Sequence, residues 1–139
     1  MFREVRNRSG EATILDNPGS IHSSAGGQDK ALAYYEQALP ILREVRNRSG
    51  EASILSNIGG VYSSIGDKDK ALEYYEQALP IHREVRDRSG EAITLSSIGL
   101  VYDSIGEKDK ALKYYEQALP IRREVRDRSG EAITLTNIG

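Results

Sequence analysis

The sequence predicts an all-α protein, built as tandem antiparallel helix hairpins stacked into a solenoid, and three observations carry that expectation. First, residues 41–80 and 81–120 differ at nine positions, and residues 121–139 differ from 81–99 at three. A period of forty residues marks units that bury apolar surface only against their neighbours. Second, the apolar residues inside one repeat step by three and four, the spacing of one helix face. Third, Gly66, followed by Asp67 and Asp69, interrupts the repeat near its middle, where one helix ends and another begins. No segment alternates with the period of two that a half-buried strand needs.

Ala52, Leu55, Ile58, Gly59, Tyr62 and Ile65 form the stripe of a first helix, helix A. Gly66 supplies the left-handed position that ends it, and Asp67 and Asp69 complement the dipole of the next helix. That second helix, helix B, carries Ala71, Leu72, Tyr75, Ala78 and Leu79 and continues through Ile81 to Val85. Pro40, Pro80 and Pro120 recur within helix B, where they kink it without ending it, because helix-forming sequence such as IHREVRDR follows. Ser89 reads as the N-cap of the next helix A, with Glu91 in its first turn. Within the first repeat, Pro18, His22 and Ala25 stand where the next one has Ile58, Tyr62 and Ile65. An interior proline costs a helix about 3 kcal/mol. This helix A is therefore expected to break near Asn17, either as an eroded terminal repeat or as an end loosened for a partner. The expected divisions are 1–8 as the tail of a preceding helix B, a degenerate repeat 9–48, repeats 49–88 and 89–128, and a truncated helix A at 129–139. The chain thus reads as stopping in mid-repeat.

Ile58, Gly59, Tyr62, Gly66, Ala71, Tyr75 and Ala78, repeated as Ile98, Gly99, Tyr102, Gly106, Ala111, Tyr115 and Ala118, resemble the pattern of the tetratricopeptide repeat (TPR) family. Gly59 lets helix B approach helix A, Ala71 and Ala78 keep the contact thin, and Tyr75 fills the space beside it. Two departures stand out. Leu55 and Leu95 replace the family's usual tryptophan, and the period of forty resembles the long-helix variant of bacterial and kinesin-light-chain-like arrays. The resemblance implies a right-handed TPR solenoid and a non-enzymatic protein-interaction scaffold.

Composition narrows the chemistry. The 139 residues include no cysteine, which excludes disulfides, a thiolate metal site and a cysteine nucleophile. No apolar run approaches the roughly 18–20 residues of a membrane-spanning helix, and MFREVRNRSG has no signal-peptide h-region. A net charge of −2 provides no global field toward nucleic acid or anionic lipid. His22 and His82 occupy non-equivalent places without a paired metal-ligand spacing, and the glycines recur at packing and turn positions rather than as a phosphate-cradling loop. Serines such as Ser63 and Ser64 have no neighbouring base. The expectation is no enzyme, no cofactor and no metal, in a bacterial cytoplasm. Asn7-Arg8-Ser9 and Asn47-Arg48-Ser49 match a glycosylation sequon incidentally.

By resemblance, the concave wall is lined by helix A residues: Ser53, Ser56, Asn57, Gly60 and Ser63, then Ile93, Ser96, Ser97, Leu100 and Asp103. Such a wall leaves room for a peptide or helix and offers hydroxyl and amide groups to its backbone. Asn57 and Asn137, with Asn17, hold the position at which related arrays carry an asparagine ladder, which Ser97 interrupts; tolerated polar residues on an exposed face are the plainer alternative. The wall carries no Lys or Arg, unlike relatives that grip a chaperone's C-terminal carboxylate.

The thirteen arginines gather at helix B ends, around Arg3, Arg6 and Arg8, then Arg43, Arg46 and Arg48, then Arg83, Arg86 and Arg88, then Arg122, Arg123, Arg126 and Arg128. A basic stripe reads phosphates, so nucleic acid or another polyanion is the rival partner. Interleaved Glu44, Glu51, Glu84, Asp87 and Glu91 oppose that reading and favour a solvated, salt-bridged edge. Finally, Ile133, Leu135 and Ile138 have no following helix B to cover them, which points to self-association. The stretches around Arg46, Arg86 and Arg126 lack glycine and are rich in helix formers. There helix B is able to run straight into the next helix A, with domain swapping as the result; a bent linker at Ser89-Gly90 is the alternative.

Overall fold

The computed structural model describes residues 27–139. The expectations concerning Asn17, Pro18, His22 and Ala25, the Asn7 sequon and Arg3, Arg6 and Arg8 lie outside the described residues. Six helices occupy that span: α1 Gln28–Glu44, α2 Arg48–Ser64, α3 Lys68–Glu84, α4 Arg88–Ser104, α5 Lys108–Glu124 and α6 Arg128–Ile138. No strand occurs among the described residues. The alternation of helix A (α2, α4, α6) with helix B (α1, α3, α5) is the one the spacing predicts, and Pro40, Pro80 and Pro120 lie inside helices. The chain divides into two compact units, Met1–Ile81 and His82–Gly139.

In the first unit the core joins Ala31, Tyr35, Ala38, Leu39 and Leu42 of α1 to Ala52, Ile54, Leu55, Ile58 and Val61 of α2 and to Ala78 and Ile81 of α3. This corrects the expected stripe of α2, because Ile54 and Val61 are buried while Ile65 is half exposed. Helix α2 is covered on one side by α1 and on another by α3, so its buried arc exceeds a single face. Ile65 is already the C-cap, beyond the last turn. Gly59 has the expected role: a Cβ there would lie 2.8 Å from the Tyr75 ring and 3.2 Å from the Ala71 carbonyl.

In the second unit, Ala92, Leu95, Ile98 and Val101 of α4 and Ala111, Tyr115, Ala118 and Ile121 of α5 are buried. Helix α5 packs against both α4 and α6. Thr134 of α6 is also buried, and its hydroxyl donates to the Gly130 carbonyl at 2.8 Å, which satisfies it within its own helix.

Two kinds of turn connect the helices. Gly66 and Gly106 take positive φ values of 90° and 83° after helix A, as the sequence predicts. After helix B the left-handed residue is an arginine: Arg46, Arg86 and Arg126 have φ values of 58°, 59° and 58°. The Asp87 amide then donates to the His82 carbonyl at 2.9 Å, closing the end of α3. The caps of helix A are Asn47, Asp87 and Asp127, whose side chains each accept from the amide three residues on, Gly50, Gly90 and Gly130, at 2.9 Å. Ser89 is therefore not the N-cap; it lies inside the first turn of α4. The bend likewise centres on Arg86 and Asp87 rather than Ser89-Gly90, and helix B does not run into helix A. An L-residue other than glycine pays about 1 kcal/mol for this conformation. Arg86→Gly is expected to raise the stability of the chain by up to about that amount, readable as a higher urea midpoint.

Candidate functional site

The candidate wall residues fall on helix A in both compact units, with different chemistry in each. On α2, Ser53 is exposed and Ser56, Asn57, Gly60 and Ser63 are half-buried. Lys68 Nζ donates to the Ser63 carbonyl at 3.0 Å, with its hydroxyl at 3.5 Å, so a cation stands beside this face. Gly60 opens the surface: a Cβ there would meet only Tyr75 Oη, at 3.6 Å. This face offers short polar groups and little bulk.

On α4 the face is apolar, with Ile93 52% and Leu100 50% exposed on residues two turns apart. Ser97, between them, turns its hydroxyl to the Ile93 carbonyl at 2.9 Å and so spends its donor on its own helix. Ser96 is buried, and Arg122 Nη2 donates to its hydroxyl at 3.4 Å, so its polar atom faces α5 rather than solvent. Asp103 is half-buried at the end of the same helix. Asp103, Lys108, Asp109, Leu112, Tyr115, Asn137 and Ile138 line a cavity of about 300 Å³. Burial, and then the Asp103 carboxylate, raise the Tyr115 phenol above its ordinary value.

Helix B thus contributes Lys108, Asp109, Leu112 and Tyr115 to this side, residues absent from the sequence reading of the site. The i, i+3 spacing of Leu112 and Tyr115 on one helix face is the signal that points to them. On α6, Ile133 and Leu135 are exposed and Ile138 is half-buried.

The arginine-rich ends are organised around one glutamate per junction, buried at the first two. Arg43 Nε and Arg48 Nη1 donate to Glu51 at 3.1 and 2.8 Å, and Arg83 and Arg88 donate to Glu91 at 2.8 and 2.6 Å. Arg123 and Arg128 do the same to the part-buried Glu131 at 2.8 and 3.2 Å. Arg88 Nε also reaches Glu124 at 2.7 Å, which lowers the Glu124 carboxyl and raises the Arg88 guanidinium. Arg46, Arg86 and Arg126, the left-handed residues, are exposed. Near the A–B turns, Tyr62 stacks on Tyr74 and Tyr102 on Tyr114, each with centroids 5.6 Å apart. Among the described residues no helix is long and apolar enough to cross a membrane, and no cluster of three or more His, Asp or Glu suits a metal ion.

Comparison with solved structures returns the same architecture. BtubC (BKLC) from P. vanneervenii is 28% identical, with a TM-score of 0.76 over 83% of this chain and 48% of that one. A Rap protein complexed with competence and sporulation factor is 18% identical, with a TM-score of 0.83 over 94% of this chain and 36% of that one. A putative kinesin light chain of Podosopora anserina with nearly identical TPR-like repeats is 15% identical, with a TM-score of 0.78 over 94% and 64%. The chain therefore spans about half the length of the first and about a third of the second. No curated protein matches the sequence. The tetratricopeptide repeat family model matches residues 47–124, more than half of the chain, with the hairpins and the Gly59–Tyr75 approach in agreement. With its tandem helix hairpins and their thin alanine and glycine contacts, the chain belongs to the tetratricopeptide repeat family.

Proposed function

We propose that this chain is a non-enzymatic scaffold that binds a peptide or helix of another protein on its helix A faces. The observation that carries the reading is the α4 face, where Ile93 and Leu100 stand half exposed, seven residues apart on one helix that is otherwise well covered. An apolar pair at that spacing matches a partner helix or extended segment that buries side chains at regular intervals. The Rap structure in complex with competence and sporulation factor is consistent with a TPR fold accepting a partner. Peptides selected from a displayed library on the intact chain test the reading. Ile93→Ser with Leu100→Ser is expected to weaken the selected peptides by about tenfold or more, with unchanged helicity, because few residues carry most of an interface. Undiminished affinity in that double variant removes the α4 face from the site.

A second reading, self-association, draws on Leu135, which is 45% exposed where the equivalent Leu95 is 0% exposed. Light scattering over a roughly hundredfold concentration range decides it; a monomer throughout removes it. The helix-fusion route to swapping is poorly supported, because the turns at Arg46, Arg86 and Arg126 are closed by hydrogen bonds. Polyanion binding along the arginine edge is disfavoured too, since Glu51, Glu91 and Glu131 each engage two of the arginines at their junction.

A further inference from the structure

At each junction the last turn of helix B meets the N-cap of the next helix A, and the three described junctions differ there in a graded series. Leu42 stands with Asn47, His82 with Asp87, and Arg122 with Asp127. The two flanking cases show what the position tolerates. Leu42 is a buried apolar residue packed under Gly50, where a Cβ would lie 2.8 Å from its Cδ2. Arg122 is a permanent cation whose Nη1 donates to Asp127 Oδ2 at 2.6 Å, and its long stem carries the charge to the partly exposed cap.

His82 falls between them. It is 4% exposed, and a Cβ on Gly90 would lie 2.5 Å from its Nδ1, so the ring fills the space under the first turn of α4. The charged groups facing it are Asp87, with Oδ2 at 3.4 Å from Nδ1, and Glu91. Both are already engaged. Asp87 accepts the Gly90 amide at 2.9 Å as the cap, and Glu91 is held between Arg83 and Arg88.

We propose that His82 is a pH-sensitive latch of the α3–α4 junction, packed and neutral near neutrality and opening the turn when acid charges the ring. An imidazolium at this buried place loses its hydration, and its Nδ1 approaches Asp87 only to 3.4 Å, where Arg122 Nη1 makes a bond of 2.6 Å to Asp127. Burial accordingly pushes His82 below its ordinary value of 6.5, outweighing the opposite pull of Asp87 and then Glu91. The unfolded chain therefore takes the proton first. The stability that the neutral ring contributes is complete above pH 6.5 and is lost as pH falls from there through the lower value of the folded chain. This device is independent of the peptide-binding reading, since none of its groups belongs to the candidate wall.

The experiment uses the full chain and the substitutions that the neighbouring repeats already carry, His82→Leu and His82→Arg. Urea unfolding at about pH 7.5 and about pH 5.5 is combined with an NMR titration of the His82 ring, and His22, present in every variant, cancels in the comparison. The wild type is expected to lose more stability on acidification than either variant, and its His82 ring to titrate below 6.5. Amide exchange at residues 85–92, corrected for its intrinsic pH dependence, is expected to quicken in acid in the wild type alone. Equal pH dependence in wild type and His82→Arg overturns the proposal even if His82→Leu fails to fold. A His82 ring that titrates at or above 6.5 overturns it as well, since Asp87 would then hold the charged form in place.

Discussion

Leu95→Ala is expected to lower the unfolding free energy by about 2–5 kcal/mol, whereas Leu135→Ala, the same substitution one repeat later, is expected to cost less than about 1 kcal/mol. The two leucines occupy equivalent places, each in a GEAITL segment. Leu95 is 0% exposed between the helices of the second compact unit, and Leu135 is 45% exposed on α6. Truncating Leu95 loses the transfer energy of three carbons and leaves a cavity that α4 and α5 cannot close without moving their backbones. Truncating Leu135 removes atoms that already meet water over much of their surface. Urea midpoints of the two variants against wild type measure the difference, and equal costs would show that Leu135 is covered in solution, which is the outcome self-association requires.

The hairpins were legible because repetition and helical spacing state the same thing independently. Gly59, Tyr75 and Ala78 specify how close the helices come, and the structure sets Gly59 against the Tyr75 ring and buries Ala78. The error about Ile54, Val61 and Ile65 arose from treating helix A as amphipathic with one buried face. In stacked hairpins it is sandwiched, so the period of 3.6 still marks a helix but underestimates its buried arc. The caps were misread for a different reason. Ser89 and Asp87 are both good N-cap residues, and sequence alone did not show that an arginine would take the left-handed position just before Asp87. The candidate wall was legible only as positions on a face. That Ser96 faces α5 and Ser97 its own helix depends on Arg122 and on a carbonyl one turn back, partners that no pattern of residue types displays.

Adjacent glycines on α2 are expected to respond to alanine with opposite signs. Replacing glycine in a helix interior gains about 0.8–1.0 kcal/mol from propensity alone, and that gain is common to both sites. At Gly60 the new methyl meets only Tyr75 Oη at 3.6 Å, an ordinary contact, so Gly60→Ala is expected to stabilise the chain by up to about 1 kcal/mol. At Gly59 the methyl would lie 2.8 Å from two carbons of the Tyr75 ring and 3.2 Å from the Ala71 carbonyl oxygen. Tyr75 is buried and cannot swing away, and the carbonyl belongs to the backbone of α3, so the helices must separate. Overpacking of this kind costs about 1–3 kcal/mol and outweighs the propensity gain. Gly59→Ala should therefore unfold at a lower urea concentration than wild type and Gly60→Ala at a higher one. Two midpoints shifted upward together would mean that propensity decides both sites and that the α2–α3 contact is looser than the Gly59–Tyr75 approach requires. Because Gly60 also lies on the candidate wall, the same variant reports on binding: a peptide backbone seated against α2 would be displaced by the methyl, so affinity should fall while stability rises.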